Sequence, residues 1–135
     1  TSGSGDLPPS SFDDATRSAW FNACSAGGTT RFTNGDDFVA AAGLCQVDAL
    51  SPVGVASREG CQSSVAGYRG IYDLTGNARE WIASCDSTAP ASMCLVVGGS
   101  YRDDDDFVLD CSFQPAQERN RATPTTGFRC CELLP

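Results

Sequence analysis

Oxygen-bearing residues recur at short spacing in the segment GIYDLTGNAREW, residues 70–81. Asp73, Gly76, Ala78 and Glu80 follow the pattern D-x-x-G-x-A-x-E. A tight loop there can direct two carboxylates and two backbone carbonyls at one point, and hard oxygen ligands of this kind suit calcium. On spacing alone, a polar turn that leads into a strand remains the simpler explanation.

A second segment of chemical interest is VGGSYRDDDDFVLDC, residues 97–111. It contains the residues of a candidate ligand surface, namely Ser100, Tyr101, Arg102, Asp103, Asp104, Asp105 and Asp106. Four adjacent aspartates repel one another, so they are solvated at a loop tip, bind a second calcium ion, or face a cationic partner or polar ligand. The sequence leaves these three alternatives open.

The composition excludes several classes of function. The chain has 17 acidic and 9 basic residues, a net charge of -8, and neither lysine nor histidine. An acidic chain without a basic stripe is a poor candidate for binding nucleic acid. Without histidine there is no Ser-His or Cys-His nucleophile pair and no imidazole metal ligand. No apolar run approaches the roughly 18 residues of a membrane span, so none is expected.

Eight cysteines without a C-x-x-C pair indicate disulfides rather than a zinc site. Disulfides in turn favour an oxidising compartment, so the protein is expected to be secreted, extracellular or at the cell surface. Closeness along the chain suggests that Cys85 pairs with Cys94 and that Cys45 pairs with Cys61.

The elements that must position these residues are short. We expect helices over residues 11–24 and 36–42, and strands over residues 79–85, 94–97, 107–113 and 127–133. Ser11 is the expected N-cap of the first helix, with Asp13 and Asp14 in its first turn. Residues 1–11 are linker-like, and residues 12–135 form one domain. Few helices, short strands and long loops predict an α+β or an irregular β fold.

Five ordered motifs carry a resemblance to a known family. They are SAWFNACSAGG at 18–28, SPVG at 51–54, GIYDLTGNAREW at 70–81, VVGGSY at 96–101 and GFRCC at 127–131. Together they resemble the formylglycine-generating enzyme (sulfatase-modifying factor) family, over nearly the whole chain. The resemblance implies the irregular α+β variant of the C-type-lectin-like fold, stapled by disulfides.

The resemblance also implies the roles of site residues. In the family the G-N-x-x-E-W loop holds a structural calcium ion, whose ligands would be the side chains of Asp73 and Glu80 and the carbonyls of Gly76 and Ala78. Family enzymes bind copper through two cysteines that follow G-G-S-Y, and they oxidise a substrate cysteine to formylglycine.

The two copper-binding positions fall on Asp103 and Val108. Carboxylates do not replace thiolates as ligands of Cu(I), so we expect no enzyme activity of this type. Another branch of the family uses the region between G-G-S-W and G-F-R as a variable ligand-binding surface. The expected function is therefore a non-catalytic, calcium-stabilised extracellular module with a binding or structural role, in a cell-surface assembly. The alternative is the cysteine-oxidising enzyme.

The family pairing implies a disulfide between Cys24 and Cys111. Cys130 and Cys131 are adjacent, point to opposite faces of a strand and are expected to take separate partners. One hypothesis is that the chain is the C-terminal part of a larger domain, with a second polypeptide that carries the missing N-terminal strands attached through these cysteines. The rival is a minimal domain with a Cys130–Cys131 bridge or another pairing.

Overall fold

A four-stranded sheet with short helices and long loops forms the domain. The structure, a computed structural model, describes residues 7–130. Its elements are α1 (Ala19–Cys24), α2 (Phe38–Leu44), β1 (Arg79–Cys85), β2 (Met93–Val97), α3 (Asp106–Leu109), β3 (Ala116–Glu118) and β4 (Thr126–Gly127). The strand order is β3-β2-β1-β4; β2 is antiparallel to β1 and β3, whereas β4 is parallel to β1. This is the expected α+β architecture.

The first helix is shorter than predicted. Ser18, not Ser11, is its N-cap, and the Ser18 hydroxyl accepts the backbone N–H of Phe21 at 3.2 Å. Turns replace the helix upstream because the carboxylate of Asp14 accepts the Thr16 hydroxyl at 2.6 Å and its backbone N–H at 2.9 Å. Such local bonds compete with helix formation. The same two bonds, that of the hydroxyl first, lower the pKa of Asp14.

Other boundaries also differ from the sequence prediction. The second helix begins at Phe38 because Asp37 caps it, accepting the backbone N–H of Ala40 at 3.0 Å. The strand predicted over 107–113 is wrong, since Asp105 caps the helical turn α3 there. At 127–133, only Thr126–Gly127 is a strand within the described residues, and 131–133 lie outside them.

Strand β1 has the predicted bounds, and β2 begins one residue earlier than predicted. The sequence did not predict β3, whose residues Ala116–Glu118 lack β-branched or aromatic side chains. β3 lies at the sheet edge and is defined by its backbone pairing with β2, so its side-chain types do not reveal it as a strand.

One cluster of the core joins β2 to the first described residues of the chain. Phe12, Leu95 and Val97 form one buried cluster, against which Leu7 and Trp20 pack. The backbone N–H of Leu7 donates to the carbonyl of Ala83 at 2.7 Å, so Leu7 of the linker-like segment lies against β1.

The three predicted disulfides are present. They are Cys24–Cys111, Cys45–Cys61 and Cys85–Cys94. The first joins the end of α1 to the segment after α3, the second joins the residue after α2 to the loop before β1, and the third joins β1 to β2. Cys130 is exposed and unpaired among the described residues, and Cys131 lies outside them. Inter-chain bonding of Cys130 and Cys131 therefore stays a prediction.

Candidate functional site

Residues 73–80 form a tight loop that leads into β1. Asp73 and Asn77 each have a φ of 60°, and Gly76 has a φ of 78°. At Gly76 a Cβ atom would lie 2.5 Å from the carbonyl oxygen of Gln46, so only glycine allows the chains to approach this closely. The spacing of D-x-x-G-x-A-x-E thus describes a turn of defined shape, with backbone held in the left-handed region.

Asn77 holds this loop against the preceding segment. Its side-chain oxygen accepts the backbone N–H of Val53 at 3.0 Å, and its side-chain nitrogen donates to the Val53 carbonyl at 3.2 Å. The backbone N–H of Asn77 also donates to Gln46 at 2.8 Å. These bonds fix the middle of the loop, between Asp73 and Glu80.

Asp73 is buried, and only one of its two carboxylate oxygens accepts a hydrogen bond from the described residues. The residue is 4% exposed, and Oδ2 accepts the backbone N–H of Ala56 at 2.9 Å. Its other oxygen, Oδ1, is buried and accepts no hydrogen bond from any residue between 7 and 130. An unpaired carboxylate oxygen is costly to bury, so its position requires a donor or a cation.

Glu80 is also buried, at 7% exposure, but both of its carboxylate oxygens accept hydrogen bonds. Trp20 Nε1 donates to Oε2 at 2.7 Å, and Arg129 Nε lies 2.7 Å from both oxygens. Arg129 Nη2 also pairs with Oε1 and donates to the carbonyl of Tyr72 at 2.8 Å. Glu80 therefore ties α1, β1 and the chain after β4 together.

One cleft of about 170 Å³ brings three of the four expected calcium ligands together. Asp73, Ala78 and Glu80 line it, together with Arg129 and Phe128. Gly76 is not part of its wall; the N–H of Gly76 bonds Gly98 at 2.7 Å.

The donor chemistry of this cleft fits calcium at Asp73. The unpaired Oδ1 supplies a hard oxygen, and two carboxylates against one guanidinium leave one negative charge uncompensated. No group of three or more His, Cys, Asp or Glu side chains could hold a metal within residues 7–130, so backbone carbonyls would have to complete a site. A Glu80 ligand would share its oxygens with Arg129 and Trp20.

Asp103 stands where the resemblance places the first copper cysteine, and it turns inward. Arg79 Nη2 donates to its two oxygens at 2.9 and 3.0 Å. The backbone N–H and the hydroxyl of Ser100 donate to Oδ2 at 2.7 and 2.8 Å. Val108, at the second copper position, lies in α3. Neither position offers sulfur.

The acidic run therefore has several distinct structural roles. Asp105 caps α3, accepting the backbone N–H of Phe107 at 2.8 Å, and Asp106 lies 3.6 Å from Arg31. Asp104 and Arg102 are exposed.

Two members of the expected ligand surface do not belong to it. Ser100 and Tyr101 are buried, at 1% and 3% exposure. The Gly-Gly turn before them brings Gly99 against Leu109, which covers this part of the loop. The exposed members of the expected surface are Arg102, Asp104, Asp105 and Asp106.

Sequence reasoning missed Trp20 and Arg129 as partners of Glu80. Both residues lie inside motifs that carried the resemblance, Trp20 in SAWFNACSAGG and Arg129 in GFRCC. A buried carboxylate requires a cation or hydrogen-bond donors. The side-chain N–H groups of Trp20 and Arg129, inside these motifs, were therefore the signal from which the two partners could have been predicted.

No helix within residues 7–130 is long and apolar enough to cross a membrane. No curated protein sequence matches the chain. Among solved structures, the crystal structure of CarF is similar with a TM-score of 0.60 and 21% identity, over 81% of this chain and 42% of that one. The Treponema denticola variable protein 1 is similar with a TM-score of 0.61 and 16% identity, over 90% of this chain and 45% of that one.

At these identities the two structures support the fold, and the chain spans less than half of either one. The model of the sulfatase-modifying factor enzyme 1-like domain matches residues 14–133, which is most of the chain. That range contains the loop of residues 73–80, the G-G-S-Y turn and the terminal G-F-R, whose arginine pairs with Glu80. The chain therefore belongs to the sulfatase-modifying factor enzyme 1-like domain family.

Proposed function

We propose that this domain is a non-catalytic, calcium-stabilised extracellular module with a binding or structural role in a cell-surface assembly. The observation that carries the proposal is the contact of Arg79 with Asp103 at 2.9 and 3.0 Å. A carboxylate that is paired with a guanidinium and accepts hydrogen bonds from Ser100 stands where the resemblance puts a copper thiolate.

The available sulfur supports the same conclusion. Copper-dependent oxidation of a cysteine requires soft thiolate ligands for Cu(I). Within residues 7–130, six cysteines are in disulfides and Cys130 is exposed, so no pair of thiols is present there. The absence of histidine and lysine from the chain removes two common alternatives for activating a nucleophile.

Calcium would act through stability rather than chemistry. Bound beside Asp73 Oδ1, with Ala78 and Glu80 in the same cleft, it would satisfy a buried oxygen and fix the loop before β1. The three disulfides support an oxidising, extracellular setting.

Calorimetric titration of the metal-free protein with calcium tests whether calcium binds beside Asp73. We expect saturable binding that Asp73→Asn abolishes and that Asp104→Asn, a change in an exposed aspartate, leaves intact. Equal loss in both variants, or no binding to the wild type, would rule out calcium at this loop.

Incubation with copper and a cysteine-containing peptide tests the absence of catalysis. No product with the mass of a formylglycine-containing peptide should form. Formation of formylglycine would instead establish the cysteine-oxidising alternative, and the dependence of that activity on Asp103 would then identify a new copper ligand.

A further inference from the structure

A second cleft, of about 330 Å³, lies beside β1. Neighbouring side chains of a strand point to opposite faces, so Trp81 points away from buried Glu80. Trp81 forms one wall of this cleft, and Phe128 forms another. Phe128 is 76% exposed, which leaves a large aromatic surface open to solvent.

The charge of this cleft is opposite to that of the chain. The protein carries a net charge of -8, yet Arg119 and Arg121 line the cleft, and no aspartate or glutamate among residues 7–130 does. Neither arginine forms an ion pair with a described carboxylate. The guanidinium of Arg119 donates to the carbonyl of Thr88 at 3.3 Å, which leaves further N–H groups for a ligand.

The segment that carries these arginines is held in place. Gln117 donates its side-chain amide to the carbonyl of Arg121 at 2.9 Å. Thr123 and Thr126 share a hydroxyl hydrogen bond of 2.7 Å, and the backbone N–H of Arg79 donates to Thr125 at 2.8 Å. A cleft whose walls are fixed before binding loses less entropy when a ligand arrives.

We propose that this cleft binds an acidic sugar, a glycan unit that carries a carboxylate or sulfate group. The planar guanidinium groups of Arg119 and Arg121 match such oxyanions with paired N–H donors. Trp81 and Phe128 offer apolar faces against which the C–H face of a sugar ring can pack. This inference rests on the proposed binding role and names its ligand class.

The remaining wall and the size of the cleft favour a sugar over an acidic peptide. Asn120 and Thr123 line the cleft and can donate to and accept from sugar hydroxyls. A volume of about 330 Å³ is at the lower end for small-molecule sites and suits one or two sugar units. An extended peptide would need a longer groove.

The two tryptophans provide separate reporters for the test. Trp20 Nε1 donates to Glu80 at the calcium-type loop, whereas Trp81 lines the second cleft. The full ¹⁵N-labelled chain should give two indole N–H signals in an NMR spectrum. Titration with a sulfated, uronic-acid-containing disaccharide should shift the Trp81 signal saturably, and the same disaccharide with its acidic groups removed should bind at least tenfold more weakly.

Arginine variants make the test specific. Arg119→Ala and Arg121→Ala should each weaken binding about tenfold or more, the loss expected when one charge-assisted contact is removed. Arg69→Ala is the matched control because Arg69 is also exposed and also donates to a backbone carbonyl at 3.3 Å. An equal loss in this control would mean attraction to charge alone and would overturn the inference.

The remaining outcomes separate this inference from the proposed function. If calcium shifts the Trp20 signal while no acidic sugar shifts Trp81, the sugar site is wrong and the calcium module stands. If the sugar shifts Trp81 while calcium has no effect, the sugar site stands and the calcium role fails. Tighter binding of a glutamate-rich peptide than of the disaccharide would overturn the sugar assignment.

Discussion

Arg79 and Asp103 form an ion pair that joins the first residue of β1 to the loop after the Gly-Gly turn. The guanidinium Nη2 lies 2.9 and 3.0 Å from the two carboxylate oxygens, and both side chains are largely buried, at 28% and 18% exposure. The pair explains how the first aspartate of the run is accommodated. It also ties the loop that departs from the enzymes of this family to the sheet.

Removing this carboxylate should destabilise the domain. Asp103→Ala leaves the half-buried Arg79 without its partner, so we expect a loss of about 1–3 kcal/mol in the free energy of unfolding. Asp104→Ala, one residue along in an exposed position, should change it by less than about 0.5 kcal/mol. Urea unfolding of both variants measures the difference, and equal midpoints would contradict a stabilising role for the pair.

Calcium removal should lower the melting temperature. A ligand that binds only the folded state at a hundred times its Kd stabilises it by about 2.7 kcal/mol. Asp73→Asn should remove the response to a chelator, because the unpaired buried oxygen is then replaced by an amide group. Thermal unfolding with calcium and with excess chelator measures the response. A wild-type protein that melts at one temperature in both conditions would contradict the prediction.

The shape of the loop should depend on Gly76. Gly76→Ala forces a side chain into the left-handed region and against the carbonyl of Gln46, so we expect a loss of about 1–3 kcal/mol. Gly54→Ala is the matched control, since a Cβ there meets no atom within 4 Å. Denaturant unfolding compares the two variants, and the expectation fails if both are equally stable.

Much of the fold could be predicted from the sequence because its signals are local or carried by motifs. The bounds of β1 followed from the pattern of REWIASC, and three disulfides followed from cysteine spacing and the resemblance. The strand predicted at 107–113 failed because one cap, Asp105, redirects an apolar segment into a helical turn. Strand β3 was missed because its partner strand, rather than its own composition, determines it.

The candidate site was predicted only in part, for a related reason. The pattern of Asp73 and Glu80 is local, and the structure places both in one cleft. Their surroundings are not local: Trp20 is 60 positions and Arg129 is 49 positions from Glu80. Contacts at such separation depend on the packing of the whole domain, which no spacing rule supplies.

The disulfides that close the longest and the shortest of the three loops should differ in their contribution to stability. Cys24–Cys111 has a sequence separation of 87 and Cys85–Cys94 one of 9. In the chain-entropy model the first contributes about 4–5 kcal/mol and the second about 2–3 kcal/mol. Serine pairs at each bridge, unfolded in urea without reductant, test the order, and a larger loss for the short bridge would contradict it.

The carboxylate of Asp110, held by Ser112 and Arg31, should make stability depend on acid pH. Burial raises the pKa of Asp110, but hydrogen bonds from Ser112 and Arg31 outweigh burial, and the net pKa lies below 3.8. A folded-state pKa below the unfolded value means that the stabilisation is present above about pH 3.8 and is lost as the pH falls through the folded value.

Asp110→Asn should therefore flatten the fall in stability between neutral and acid pH. Ser112→Ala keeps the carboxylate and one backbone donor, so it should remove only part of the dependence. Urea unfolding at several pH values gives the slopes. Identical slopes for the wild type and Asp110→Asn would exclude Asp110 as a source of acid sensitivity.

The long bridge between Cys24 and Cys111 has a further consequence, for proteolysis. Both other disulfides lie inside the ring that it closes. Leu50 and Val55 are 97% and 80% exposed in the segment between Cys45 and Cys61, where a protease that prefers apolar residues would cut. A single cut there would leave the two fragments joined by two covalent bridges, so the nicked protein would keep its apparent size until it is reduced.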